Sequence, residues 1–121
     1  MDRIEVCSDA ASDHNGTLPF FRETTFGGGK SRVDPKSDFT VNCIRLDDML
    51  PIRGKTIAMK IDVEDHEGAV IGGMEALLRH NRCFIQVECF NYNMDAIEPR
   101  MTALGYRLLR SIDVDRYFTN F

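Results

Sequence analysis

Residues 56–90, TIAMKIDVEDHEGAVIGGMEALLRHNRCFIQVECF, constrain the fold more than any other part of the chain. They read as strand, acidic turn, helix and strand. Residues 56–61 are a mostly apolar run of strand length. Asp62-Val63-Glu64-Asp65-His66-Glu67 then sets four carboxylates and an imidazole within six residues. Ala69, Val70, Gly73, Met74, Leu77 and Leu78 make an apolar or small stripe at helical spacing, which predicts a helix over 67–80. A second strand starts at Phe84 and ends in Glu88. Two strands joined by a crossover helix are parallel and usually adjacent. Open α/β sheets bind ligands beyond the carboxyl ends of their strands. Asp62 and Glu88 both fall at such ends, so one short segment aims two carboxylates at one crevice.

At 121 residues the chain is expected to form a single domain, 1–121, small for an α/β enzyme. A net charge of −4 and the lack of a basic run argue against nucleic acid as a partner. No apolar stretch approaches the ~20 residues that span a membrane. The start, Met1-Asp2-Arg3-Ile4-Glu5, lacks the apolar core of a signal peptide, so a cytoplasmic location is expected. Cys7, Cys43, Cys83 and Cys89 are scattered and form no Cys-x-x-Cys pair. Reduced core thiols are the simplest reading, ahead of a zinc site or a disulfide framework.

Around this unit, residues 4–7 are a short strand candidate, and Asn15-Gly16 suggests a hairpin turn before an arm at 17–21. Residues 23–37 carry three consecutive glycines and read as a loop. Residues 39–46 alternate partly like a strand, and residues 47–51 read as a short helical turn or a loop closing before Pro51. Beyond Glu88, a helix is expected from about Ile97, with Pro99 in its first turn and Gly105 as its cap. Strands at 106–112 and 116–121 follow, joined by a turn at 113–115.

Lys60-Ile61-Asp62-Val63-Glu64-Asp65-His66-Glu67, followed by Val70-Ile71 and Gly73-Met74, resembles the signature of FkbM-type methyltransferases. That signature runs Lys-Ile-Asp-Val-Glu-Gly-His/Ala-Glu, then an aliphatic pair and a Gly-small step. Ala11-Ser12-Asp13 with Gly16 looks like the family's Ala-Leu-Ser-Asp turn. Leu46-Asp47-Asp48, Val87-Glu88 and Gly105-Tyr106 match further landmarks in order.

The resemblance implies an α/β, Rossmann-like methyltransferase fold with a mostly parallel sheet and an antiparallel C-terminal strand. It implies S-adenosylmethionine as cofactor and O-methylation of a hydroxyl on a small molecule or glycan. Two departures stand out. Asp65 occupies a position usually held by glycine. The family's first strand, glycine-rich turn and ribose-gripping acid are not found, so the chain looks like the C-terminal half of the domain, through truncation, a split gene or degeneration. An N-terminal half-domain or a homodimer is the expected partner. By the same resemblance, Ala11, Ser12 and Asp13 line the adenine side of the cofactor. Asp62 and Glu64 face the methyl sulfonium and the acceptor, and Glu88 bounds the acceptor pocket. The rival is a non-catalytic accessory module that binds a partner protein through an open sheet.

Blander readings compete at each motif. Gly27-Gly28-Gly29-Lys30-Ser31 mimics a phosphate loop, but Thr24 stands where an earlier glycine is needed and Val33-Asp34-Pro35 follows instead of a helix. Glu64, Asp65 and Glu67 could merely complement a helix N-terminus, where each is worth about 0.3–1 kcal/mol. Asp62, ending a buried strand, is not explained that way, because burying an unpaired charge is costly. Asp62, Glu64 and His66 alternate and could share a face toward magnesium or calcium, but no tightly bound transition metal is expected. Glu88 could pair with Lys60 or an arginine. His80 reads as a favourable charge at a helix C-terminus, and His14 could approach the adenine region.

Overall fold

The computed structural model describes residues 3–21, 31–37 and 39–121. The glycine run at 27–29 lies outside them. In chain order the elements are β1 (Ala10–Ala11), β2 (Gly16–Phe21), β3 (Arg32–Val33), β4 (Thr40–Ile44), α1 (Leu46–Met49) and β5 (Thr56–Ile61). Then follow α2 (Glu67–Gly72), α3 (Glu75–His80), β6 (Arg82–Glu88), α4 (Asn91–Ala103), β7 (Arg107–Ile112) and β8 (Asp115–Thr119).

The strands form two four-stranded sheets, ordered β1-β4-β2-β3 and β5-β6-β8-β7. Among the described residues only β1/β4 and β5/β6 are parallel, and the other four ladders are antiparallel. This corrects the expected mostly parallel sheet. The physical reason is local: β2 and β4 run antiparallel, and the two-residue turn after Ile112 can only return β8 against β7. The predicted adjacency of β5 and β6 holds, in register from Thr56↔Arg82 to Ile61↔Val87.

Cys83, Ile85 and Val87 alternate inward from β6 and are fully buried. With Phe118 of β8 they meet Val70, Ile71, Met74 and Leu78 from α2 and α3, and Ile97 and Met101 from α4, in one apolar core. On the opposite face of this sheet Thr56, Ala58, Lys60, Arg82 and Phe84 are exposed. Cys43, Cys83 and Cys89 are buried free thiols, and Cys7 is exposed.

Several sequence expectations shift. Residues 4–7 form no strand; Ile4 and Val6 are 89% and 91% exposed, so the alternation there has nothing to pack on. The arm β2 pairs instead with β3 and β4. The single crossover helix is two short ones. Gly73 ends α2 in a near-bridge conformation (φ −86°, ψ 0°), and α3 restarts because the Asp47 carboxylate accepts the Ala76 and Leu77 N–H groups at 3.1 and 2.8 Å. The last helix starts at Asn91, so Pro99 lies inside it rather than in its first turn. Gly105 does cap it, at φ +90°, with Tyr106 N–H returning to the Met101 carbonyl.

The sheets meet at a seam built on Ser12, which is 1% exposed. Its N–H donates to the Ile44 carbonyl at 3.0 Å, its Oγ lies 3.1 Å from His66 Nε2, and its carbonyl lies against Gly73. A Cβ at Gly73 would overlap that carbonyl oxygen, so only glycine permits the approach.

Candidate functional site

The parallel register places Asp62 and Glu88 one residue beyond the paired Ile61 and Val87; Asp62 leaves the sheet there, and Glu88, the last residue of β6, still pairs with Asp115 of β8. The chain then reverses through Glu64 (φ 44°) and Asp65 (φ 67°), two successive left-handed residues. Such backbone is unfavourable for side chains bearing Cβ, least so for Asp and Asn. The reversal brings the Glu64 carboxylate back over the strand ends. Oxygens of Asp62, Glu64 and Glu88 all lie within 4.8 Å of one another. That spacing could also accommodate one hard cation.

Asp62 is not the buried charge expected at a strand end. Its side chain is 42% exposed and sits 3.4 Å from Lys60 Nζ. Lys60 thus pairs with Asp62 rather than with Glu88. Burial raises the Glu88 carboxyl above its ordinary value, and the Asp62 charge, a hydrogen bond with Asp62, and the charges of Glu64 and Asp115 push the same way.

Around the cluster, Asn93 Nδ2 donates to Asp65 at 3.0 Å. His66 does not join Asp62 and Glu64 on a common face; it turns to Ser12, and burial lowers its proton affinity. Glu67 is 2% exposed, not one of the solvated charges of a helix start. Glu67, Val70, Ile71 and Met74 share the helical spacing of the apolar stripe, the one sequence signal that could have revealed this.

Ala11 packs beside the core, Ser12 is spent on the seam, and Asp13 keeps a side chain 58% exposed. Asp13 pairs with His14 Nδ1 at 2.9 Å, which lowers the Asp13 carboxyl and raises the imidazole. His14 Nε2 reaches the Thr17 carbonyl at 3.2 Å and lies 3.4 Å from Cys43 Sγ. This Cys43–His14–Asp13 string resembles a nucleophile with its base, yet burial raises the thiol, and a ring N–H given to a carbonyl cannot accept from sulfur. It is a clamp on the 13–17 turn.

Two depressions border this region, one lined by Ile61 and Val63 on either side of Asp62, the other by Glu64. An apolar groove of about 340 Å³ is lined by Ala11, Met59, Ile61, Val63, Val70 and Met74, among others, and links the Ala11 turn to the acidic end of β5. A polar crevice of about 490 Å³ lies between Arg32 and Lys36 on one wall and Glu64, Asp65 and His66 on the other. No helix among the described residues is long and apolar enough to cross a membrane.

No curated protein and no solved structure matches the chain. The model of the methyltransferase FkbM domain matches residues 2–108, covering both sheets up to the start of β7. That match spans most of the length, and the acidic turn and strand ends just described lie inside it: the chain belongs to the FkbM methyltransferase family.

Proposed function

We propose that the chain, as one domain spanning 1–121, is a methyltransferase that uses S-adenosylmethionine to methylate a hydroxyl on a small molecule or glycan. The observation that carries the proposal is the Asp62, Glu64 and Glu88 cluster at the carboxyl ends of two parallel strands, in a chain of a methyltransferase family. Such strand ends are where α/β sheets bind ligands. The order β5-β6-β8-β7, a parallel pair continued by antiparallel strands, supports reading this sheet as part of a Rossmann-like one.

The residues present fit such a cofactor at two points. The apolar groove suits an uncharged aromatic and thioether body, and the carboxylates at the ends of β5 and β6 suit a sulfonium cation. The Ser12 backbone and the exposed Asp13 carboxylate would hold the adenine side, with Ala11 on the groove wall. When bound, the cofactor supplies an electrophilic methyl group. The chain's own work is then positioning and proton handling. Asp62, neutralised in part by Lys60, orients the acceptor hydroxyl and takes its proton. Glu64 faces the sulfonium and Glu88 bounds the acceptor pocket.

The test is transfer of labelled methyl from S-adenosylmethionine to a panel of sugars, polyols and phenols. Turnover should fall about a hundredfold in Asp62→Asn while cofactor affinity stays within about twofold, as expected when a proton-accepting group is removed. Labelled product at equal rates in both proteins would refute the role of Asp62. A non-catalytic module that docks a partner is the second reading, favoured by exposed Phe84 and Ala58 on the open face of the β5/β6 sheet. No transfer to any acceptor, with or without an added N-terminal half-domain, would favour it.

A further inference from the structure

We propose that Glu67 is a positioning residue, whose buried carboxylate holds the Glu64–Asp65 peptide so that Glu64 faces Asp62 and Glu88. The proposal rests on the reading of that cluster as the reacting site, and it assigns work to a side chain that the chemistry itself does not use.

Glu67 opens α2 yet is 2% exposed, among core side chains. A carboxylate so placed must be satisfied by donors close by. Its Oε1 accepts the Asp65 N–H at 3.2 Å. That N–H belongs to the peptide linking the two left-handed residues, Glu64 and Asp65. Fixing this peptide plane fixes ψ of Glu64 and φ of Asp65 together. A two-residue left-handed reversal without glycine persists only where its surroundings over-determine it. Asn93 holds the Asp65 side chain from α4, and Glu67 holds its backbone from below.

The arrangement works against stability. Burial raises the Glu67 carboxyl, and the nearby charges of Asp65 and Glu64 raise it further. A buried acid beside two others is a poor choice for a helix start whose only task is dipole complementarity. It is a good choice where the turn above must be held. Released from Glu67, the peptide can relax toward ordinary φ, and the Glu64 carboxylate then leaves the 4.8 Å cluster.

The experiment uses the whole chain with carbon-13 in its glutamate carboxyls and nitrogen-15 in its amides. The Glu88 titration and the Asp65 amide are read in wild type, Glu67→Gln and Glu67→Met. Gln keeps an oxygen that can accept the amide, so both signals should stay as in wild type. Met keeps the volume without the acceptor. In Glu67→Met the Asp65 amide should shift upfield and exchange faster, and the Glu88 midpoint should move down toward the ordinary carboxylate value. If Glu67→Met does not fold, Glu67→Asp, too short to reach the amide, should show the same two changes. Unchanged Glu88 and Asp65 signals in every folded variant would overturn the proposal, as would failure of Glu67→Gln to fold. These readouts need no methyl transfer, so they stand even if the chain transfers no methyl group. Where transfer is measurable, Glu67→Met should lower kcat by at least about tenfold with KM for the cofactor little changed.

Discussion

Among the described glycines, replacing Gly73 with alanine should damage this protein more than any other single methyl addition. The added Cβ would overlap the Ser12 carbonyl oxygen and stand 2.9 Å from the Ser12 carbonyl carbon and 3.3 Å from the Asp13 Cα. All three are backbone atoms, so no side chain can swing aside. Restoring ordinary contact needs a shift of more than about 1 Å between the two sheets. That shift strains the Ser12–His66 contact (3.1 Å) and the Asp47 N–H bond to the Gly73 carbonyl (2.9 Å). Overpacking of this kind costs about 1–3 kcal/mol, and each lost hydrogen bond about 0.5–1.5 kcal/mol more. Against this, φ of −86° suits alanine, and a stiffer unfolded chain returns about 0.4–1 kcal/mol. The clash wins, leaving a net loss of about 2–4 kcal/mol, a large share of the roughly 5–15 kcal/mol of a typical domain. Urea unfolding followed by circular dichroism measures it. Gly72→Ala is the control, because its Cβ meets side-chain atoms rather than backbone, Arg100 Nη2 at 3.1 Å and Asp13 Cβ at 3.7 Å. Equal midpoints for the two variants would refute the Ser12–Gly73 seam.

Glu88→Gln should stabilise the protein at neutral pH. A carboxyl raised in the folded state adds stability below its unfolded value, near 4.5, and loses it as pH climbs through the raised folded value. Wild type and variant should therefore match near pH 4 and diverge above it. Like charges within 4.8 Å at a half-exposed site repel by roughly 1–3 kcal/mol, with Lys60 pulling the figure toward the lower end. Denaturation at pH 4 and 7.5 reads this, and a variant no more stable at 7.5 contradicts it. Asp47→Ala should cost about 1–2 kcal/mol, because it strips both acceptors from the α3 N-terminus; faster amide exchange confined to Ala76 and Leu77 and their neighbours would locate the loss.

What was legible in the sequence was local or periodic. The β5–turn–β6 unit declared itself through an apolar run, a helical stripe and a second apolar run. Its parallel register then brought Asp62 and Glu88 together. The break in the crossover helix was hidden, because its new cap, Asp47, lies far back in the chain. The burial of Glu67 was hidden by its charge, although its spacing with Val70 and Met74 placed it on the inner face. Residues 4–7 alternate like a strand, but alternation makes a strand only where a neighbour exists to pair with. The Ser12–His66 contact joins two motifs that each looked self-contained.

The central claim is that the groove beside the Ala11 turn and the carboxylates of Asp62, Glu64 and Glu88 at the ends of β5 and β6 together receive the cofactor. Amide chemical shifts of the nitrogen-15-labelled chain, titrated with S-adenosylmethionine into the millimolar range, test it most directly, because they register even weak binding residue by residue. The account predicts saturable shifts at Ala11, Ser12 and Asp13 and at Asp62 to Glu64, reduced in Asp62→Asn at the acidic end alone. Shifts confined to other surfaces, or none at saturating cofactor with the N-terminal half-domain supplied, would contradict it.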